Sequence, residues 1–398
     1  MNTYCSKSWT DVNINFSDRT VRHCCKSAPY IFPETLTVDF LNNSSQIQER
    51  RAQSLIGIAH PDCASCWTSI KETGTSYRDW MNQWDETDID KYQSHLTQPI
   101  IQQIEVELDN TCDMACLYCF PDNSSKIAQE ENVVIKSKFN QHDYDIFKQW
   151  VSSYLRQTDH LHDAVLFNFL GGEPTASKRF YDLVEFIEAE SKKTKLEITI
   201  AICTNANTKP HLMRKLAACI NRSDLIWSIA VSNEGFKQDA ELVRHGLVWD
   251  RFSENVKFYM SHPKITTFAL SPTLNALNLK SFPEYVEWVH NMFDTHGTAN
   301  KIISWCGNFV DYPTELDIAQ LPKSFINYID TVLEFVLKYK SNARYSNLDQ
   351  FDQFLNSMKQ RIGSIHNQNF DAELTEFVEH KQRVKQDNRL SNLLKNIK

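Results

Sequence analysis

Asp109-Asn110-Thr111-Cys112-Asp113-Met114-Ala115-Cys116-Leu117-Tyr118-Cys119-Phe120 decides how the rest of the chain is read, because it sets three thiols four and then three residues apart. Thiols so spaced can converge on one metal centre. Three thiolates hold three irons of a four-iron, four-sulfur cluster and leave the fourth iron without a protein ligand, which makes it a reaction site. The same spacing also puts the cysteines on one face of a helix, where free cysteine packs as a small apolar side chain. The flanks favour the metal. Upstream, Ile104, Val106 and Leu108 alternate with Glu105 and Glu107, the period of a half-buried strand. Asp109-Asn110 closes that strand and Pro121-Asp122 follows the last thiol. The cysteines are therefore expected in a loop at the carboxyl end of a strand, where α/β barrels place chemistry.

The chain has 398 residues, enough for two or three domains with a substantial core. Fifty acids against 42 bases give a net charge of −8, which offers no global attraction to a phosphate backbone and ranks nucleic acid below peptides and small molecules as a substrate. No apolar run approaches a membrane span, and the polar start Met1-Asn2-Thr3-Tyr4-Cys5-Ser6-Lys7 is no signal peptide. A cytoplasmic protein with no membrane partner is expected. Its eleven cysteines are then thiols or metal ligands rather than disulfides.

Five of them, Cys5, Cys24, Cys25, Cys63 and Cys66, fall early in the chain. Asp11-Val12-Asn13-Ile14-Asn15-Phe16 alternates, Ser17-Asp18-Arg19 can turn, and Thr20 to Cys25 leads away, which reads as a β-hairpin with thiols at both ends. His60-Pro61-Asp62-Cys63-Ala64-Ser65-Cys66-Trp67 adds a Cys-x2-Cys knuckle that can grip iron or zinc. Two ligands from the hairpin and two from the knuckle make four. A four-cysteine structural zinc remains an alternative, because thiolate spacing does not name the metal. Lys71 to Leu96 is polar and reads as a helical linker, with Trp80, Trp84 and Tyr92 as packing anchors.

From Ile104 onward, strand-like segments at Ile104–Leu108, Val165–Leu170, Leu196–Cys203, Leu225–Val231, Thr266–Leu270 and Lys301–Trp305 alternate with helical ones, including Tyr144–Leu155, Lys178–Glu190 and Phe282–Phe293. That is the pattern of parallel βα units. Polar loops follow several of these strands: Gly171-Gly172-Glu173-Pro174, Cys203-Thr204-Asn205-Ala206, Ser232-Asn233-Glu234-Gly235 and Ser271 to Asn278, with Asn275 near the expected mouth. Two glycines let backbone carbonyls approach a ligand, and a carboxylate can accept from an ammonium. Cys203, Cys219 and Cys306 lack partner spacing and read by default as buried thiols, as His211, His262 and His290 read as ordinary packed histidines. Residues 321–398 read as a charged helical tail that covers one end of the barrel or meets a partner.

The Cys-x3-Cys-x2-Cys run, with the aromatic Tyr118 before its last cysteine, resembles the signature of the radical S-adenosylmethionine (SAM) superfamily, and Gly171-Gly172-Glu173-Pro174 resembles its second signature. The resemblance implies a [4Fe-4S] cluster on Cys112, Cys116 and Cys119 whose open iron chelates SAM. It implies cofactor contacts from Tyr118, Gly171, Gly172, Glu173, Pro174, Thr204, Asn205, Ser232 and Asn275. Alanine replaces the glycine often found in the Thr-Asn-Gly of relatives. Arg244 matches an arginine position of the group described next, where it reads equally as a carboxylate clamp or a surface ion pair.

The early cysteines resemble a twitch domain, the shortened relative of the SPASM domain, placed ahead of the core. This implies a second, auxiliary [4Fe-4S] cluster on Cys5, Cys24, Cys63 and Cys66, with Cys25 able to replace Cys24. Arg19 departs from the family's glycine, so a different turn type is expected there. The implied fold is α/β. It comprises a small cysteine-rich α+β module with its linker over residues 1–95, a partial (β/α)6 barrel over 96–320 and a helical region over 321–398.

The implied reaction is reductive cleavage of SAM to a 5′-deoxyadenosyl radical that takes a hydrogen atom from substrate. The implied partners include an electron donor such as flavodoxin or ferredoxin. A peptide or protein side chain, oxidised or cross-linked, is the preferred substrate. Within the same superfamily the alternative is a small-molecule dehydrogenase or epimerase, with Cys203 or Cys306 as candidate catalytic hydrogen donor. Outside it, the alternative is a metal-stabilised binding protein that holds zinc and cleaves no SAM.

Overall fold

The computed structural model describes residues 3–73, 76–84, 100–157 and 163–397. Part of the expected linker, Tyr92 included, and the side chains of Trp80 and Trp84 lie outside what is described. Helix Ala64–Thr73 runs into its start and helix Tyr77–Trp84 lies within it. No helix among the described residues is long and apolar enough to cross a membrane.

The strands are β1 (Asp11–Asn15), β2 (Thr20–Arg22), β3 (Tyr30–Ile31), β4 (Gln103–Glu107), β5 (Ala164–Leu170), β6 (Glu197–Thr204), β7 (Ile226–Val231), β8 (Ile265–Leu270), β9 (Thr273–Leu274), β10 (Ile302–Trp305), β11 (Asn308–Phe309) and β12 (Tyr345–Ser346). The six strands expected from Ile104 onward form within one residue of their expected bounds. The three expected helices form over Gln141–Gln157, Lys178–Ser191 and Phe282–His296. The fold is α/β with a mostly parallel sheet of many strands.

The chain divides into two compact units. The first comprises Met1–Asp109, Lys136–Gly171 and Ser177–Ile200. Here the expected hairpin forms, with Asn13 opposite Arg22 and Ile14 opposite Val21. Arg19 stands in the left-handed region at φ 55°, the conformation a glycine would supply at no cost. Its side chain offsets the strain. The guanidinium donates to the buried Asp143 carboxylate at 2.6 Å and to Pro33 O at 2.9 Å. Strand β1 also runs parallel to β4, with Val12 beside Ile104 and Ile14 beside Val106, and β4 runs parallel to β5.

The second unit comprises Asn110–Ile135, Gly172–Ala176 and Ala201–Lys398. Strands β7, β8, β10 and β12 run parallel to one another in that order. Their large apolar side chains, Trp227, Ile229, Phe268, Ile303 and Trp305, are buried on one face. The opposite face carries Ser228, Ala230, Thr267, Ala269 and Ser304, all half-buried, with Ala230, Ala269 and Ser304 in register across three strands. Small side chains there leave room above the sheet. The helical tail is present as Ile326–Tyr339, Leu348–Arg361 and Phe370–Lys385. Its last helix reaches the segment after the cysteine loop, where Lys385 pairs with Glu130 and Lys381 with Glu131, both at 3.0 Å.

Candidate functional site

The three cysteines after β4 lie in an irregular loop, so the helical-face reading of their spacing fails. Other segments of the second unit hold the loop by its backbone. Ala115 N donates to His245 O at 2.7 Å and Leu117 N to Val243 O at 2.9 Å. Ser125 Oγ accepts from Cys112 N at 3.1 Å, and Ser124 Oγ donates to Met114 O at 2.7 Å. Backbone so fixed leaves the three thiols to be placed by the loop rather than by their own packing.

Gly172 is seated directly on this loop. A Cβ at that position would stand 2.4 Å from Thr111 O and 2.8 Å from Asn110 C, so only glycine permits the approach. Glu173 N then donates to Thr111 O at 2.6 Å. The Glu173 side chain is buried and fully engaged. Oε1 accepts from Thr175 Oγ1 at 2.6 Å and Thr204 Oγ1 at 2.8 Å, and Oε2 accepts from Asn205 N at 2.7 Å. Burial raises its pKa, and those donors act against the rise. Glu173 thus ties the Gly-Gly-Glu-Pro loop to the end of β6, while Pro174 opens a short buried 3-10 turn. Asn205 Nδ2 reaches Asp113 Oδ1 at 3.2 Å, inside the cysteine loop. Ala206 adopts the left-handed φ of 55°, a conformation that glycine reaches without strain.

Tyr118, Glu234 and Arg244 make a buried network that spacing alone did not single out. Tyr118 Oη donates to Glu234 Oε1 at 2.9 Å. Arg244 Nη2 meets Glu234 Oε2 at 2.7 Å, and its Nε lies 3.1 Å from both oxygens. Arg244 is not a surface pair, because its Nε and Nη2 hold Glu234 below the surface. Burial pushes the Cys116 thiol up to about 12, and the Arg244 and Lys385 charges draw it down. Burial likewise lifts Cys112 to about 12 and raises Cys119.

Other site residues are distributed as follows. Ser232 Oγ lies 3.3 Å from the half-buried Cys203 thiol at the end of β6. Cys306, after β10, is exposed. Asn275 is buried, and its side chain serves its own loop through Leu277 N at 3.0 Å and Thr273 O at 3.3 Å. Gly171 sits at φ 104° in the first unit.

A cavity in the first unit is lined by Cys5, Cys24, Cys63 and Cys66, together with Arg50, His60, Trp67, Tyr77 and Arg78. The hairpin exit and the knuckle meet here. Ala28 N donates to Asp62 O at 3.0 Å and Ser65 Oγ to Lys26 O at 2.9 Å. Cys63 ends the turn Pro61–Cys63 and Cys66 lies in the first turn of the following helix. Cys25 is not among the lining residues. Burial pushes the Cys5 thiol up to about 12, with Arg50 drawing it down and Cys63 and Cys66 lifting it. Arg50 is 1% exposed, and none of its three guanidinium nitrogens has a hydrogen-bond partner among the described residues.

Among the described residues no three His, Cys, Asp or Glu side chains stand close enough to share a single metal ion. In an iron–sulfur cluster each thiolate takes its own iron, so such ligands need not meet at one point. Three thiols stand on the cysteine loop, and four line the cavity beside the buried Arg50.

No protein-family model matches the chain, and no curated protein matches it. Several solved structures resemble it, two of them at the following low identities. The crystal structure of Streptococcus suis SuiB is 14% identical with a TM-score of 0.40, over 84% of this chain and 70% of that one. The structure of TYW1 with a lysine-pyruvate adduct bound is 11% identical with a TM-score of 0.33, over 63% of this chain and 78% of that one.

Proposed function

We propose that the chain is a radical SAM enzyme, with Cys112, Cys116 and Cys119 holding a [4Fe-4S] cluster and the adjoining strand ends holding SAM. The observation that carries this reading is the seat of Gly172 and Glu173 on Thr111, which joins the second signature to the cysteine loop. When bound, the cluster and SAM supply a 5′-deoxyadenosyl radical by one-electron cleavage.

The chain's own residues hold and shield that chemistry. Gly172 brings backbone to the cysteine loop where any side chain would collide. Glu173, already engaged by Thr175, Thr204 and Asn205, fixes the shape of the SAM-facing loop, leaving its backbone carbonyls to meet an ammonium group. Glu234, itself paired with Arg244, holds Tyr118 of the cysteine loop by its hydroxyl. The row of small side chains on β7, β8 and β10 gives a substrate room beside the site.

In this reading residues 1–95 form a twitch-like auxiliary module whose [4Fe-4S] cluster sits on Cys5, Cys24, Cys63 and Cys66, residues 96–320 form the partial barrel, and 321–398 the helical region. A peptide or protein side chain is the substrate, and a flavodoxin or ferredoxin supplies electrons. A second reading, a small-molecule epimerase, draws on the half-buried Cys203 thiol at the end of β6 as hydrogen donor. Cys203→Ala separates the two: loss of product with SAM cleavage intact supports the epimerase.

The test of the central assignment is Cys116→Ala in anaerobically reconstituted protein. Release of 5′-deoxyadenosine from SAM is abolished while iron bound by the N-terminal cysteines is kept. Retained release overturns the assignment.

A further inference from the structure

A fully buried guanidinium with no hydrogen-bond partner is a costly arrangement, because an uncompensated charge in a protein interior loses its hydration without replacement. Arg50 is in that position. It is 1% exposed, its Nε, Nη1 and Nη2 have no hydrogen-bond partner among the described residues, and it lines the cavity that Cys5, Cys24, Cys63 and Cys66 also line. Its neighbour Arg51 is equally buried but donates from Nε to Ser8 O at 2.8 Å and from Nη1 to Asn42 O at 3.1 Å, facing backbone instead. Arg78, a second cation on the cavity wall, pairs with Asp79 through Nε and Nη2 and keeps Nη1 unpaired. Two guanidinium groups with free N–H donors beside four thiols describe a socket for an anion rich in acceptors.

We propose that Arg50 is a positioning residue for the auxiliary group, donating N–H···S hydrogen bonds from its guanidinium to the sulfur atoms of a four-iron, four-sulfur cluster held by Cys5, Cys24, Cys63 and Cys66. This rests on the auxiliary-cluster reading above. Such a cluster with four thiolates is anionic and gains a further negative charge on reduction, so a buried cation in contact stabilises the reduced form more than the oxidised one. Hydrogen bonds to sulfur and local charge are the protein's main controls over cluster potential. Arg50 therefore sets the auxiliary cluster at a higher potential than its four thiolates alone would give, which suits a centre that takes up electrons.

The experiment uses the full chain, reconstituted without oxygen, with potentiometric titration followed by electron paramagnetic resonance. Iron is first counted in the wild type and in Cys63→Ala; an equal count in both removes the auxiliary cluster itself, and the role of Arg50 with it. With the cluster present, Arg50→Gln lowers its midpoint so that the reduced-to-oxidised ratio at a fixed applied potential falls at least tenfold, 59 mV for a one-electron couple. Arg50→Lys, which keeps the charge, recovers most of that shift. The signal of the Cys112, Cys116 and Cys119 cluster does not move in either variant. An unchanged auxiliary midpoint in Arg50→Gln overturns the proposal. If Arg50→Gln does not fold, the Lys variant decides: a midpoint near that of the wild type supports it, and a tenfold shift with full iron uptake overturns it.

Discussion

Arg244 and Glu234 form a bidentate ion pair in which both side chains are almost wholly buried, with Arg244 Nη2 2.7 Å from Glu234 Oε2. Removing one partner of such a pair leaves the other charged and unpaired in the interior. Arg244→Leu and Glu234→Leu are each expected to lower the unfolding free energy by about 3–5 kcal/mol, and the double replacement by much less than the sum. Urea unfolding of the four proteins closes the cycle. Additive losses would show that the pair does not act as a unit.

Gly172 makes a sharper demand. With a Cβ 2.4 Å from Thr111 O, Gly172→Ala must push the cysteine loop or the Gly-Gly-Glu-Pro loop out of place. The expected result is loss of about four irons, those of the Cys112, Cys116 and Cys119 site, with iron at the N-terminal cysteines retained. Iron analysis after reconstitution reads this directly, and full iron content in the variant contradicts it.

Ala206 carries strain that glycine would release. Its φ of 55° costs an alanine roughly 1–2 kcal/mol, partly offset by the freedom glycine adds to the unfolded chain. Ala206→Gly is expected to raise stability by about 0.5–1 kcal/mol. Denaturant midpoints at constant slope measure it; a destabilised variant would mean the methyl group's packing outweighs the strain.

Asp11 gives the protein a stability that depends on pH. Burial raises its pKa to about 6 from 3.8, against the opposing Lys7 ammonium at 3.1 Å. Between those values the folded chain holds a proton that the unfolded chain has released, so stability falls as pH rises through the window and levels off above about pH 6. The two-unit shift corresponds to a loss of about 3 kcal/mol. Asp11→Asn is expected to flatten the profile between pH 4 and 7, as read by unfolding at several pH values. An unchanged slope assigns the dependence elsewhere.

Local pattern made much of this molecule legible. Apolar alternation located six strands within one residue, because each buries one face and the period of two survives without knowledge of partners. The hairpin of β1 and β2 was equally visible, since a short turn fixes its register. The parallel seat of β1 beside β4 was not, because nothing in Asp11 to Asn15 states which distant strand it pairs with. Around the cysteine loop, spacing singled out Cys112, Cys116 and Cys119 but gave Glu234 no role, since a lone acid in a βα loop is common and only the fold brings it to Arg244 and Tyr118. Arg19 illustrates the same limit. Its left-handed turn is the one glycine would make, and the Asp143 that sustains it lies 124 residues away.

The central claim is most directly tested by reconstituting the full chain without oxygen, counting iron and sulfide, and assaying SAM with dithionite. The account predicts about eight irons per chain and release of 5′-deoxyadenosine that requires the reductant. Zinc in place of iron, with SAM left uncleaved, would contradict it.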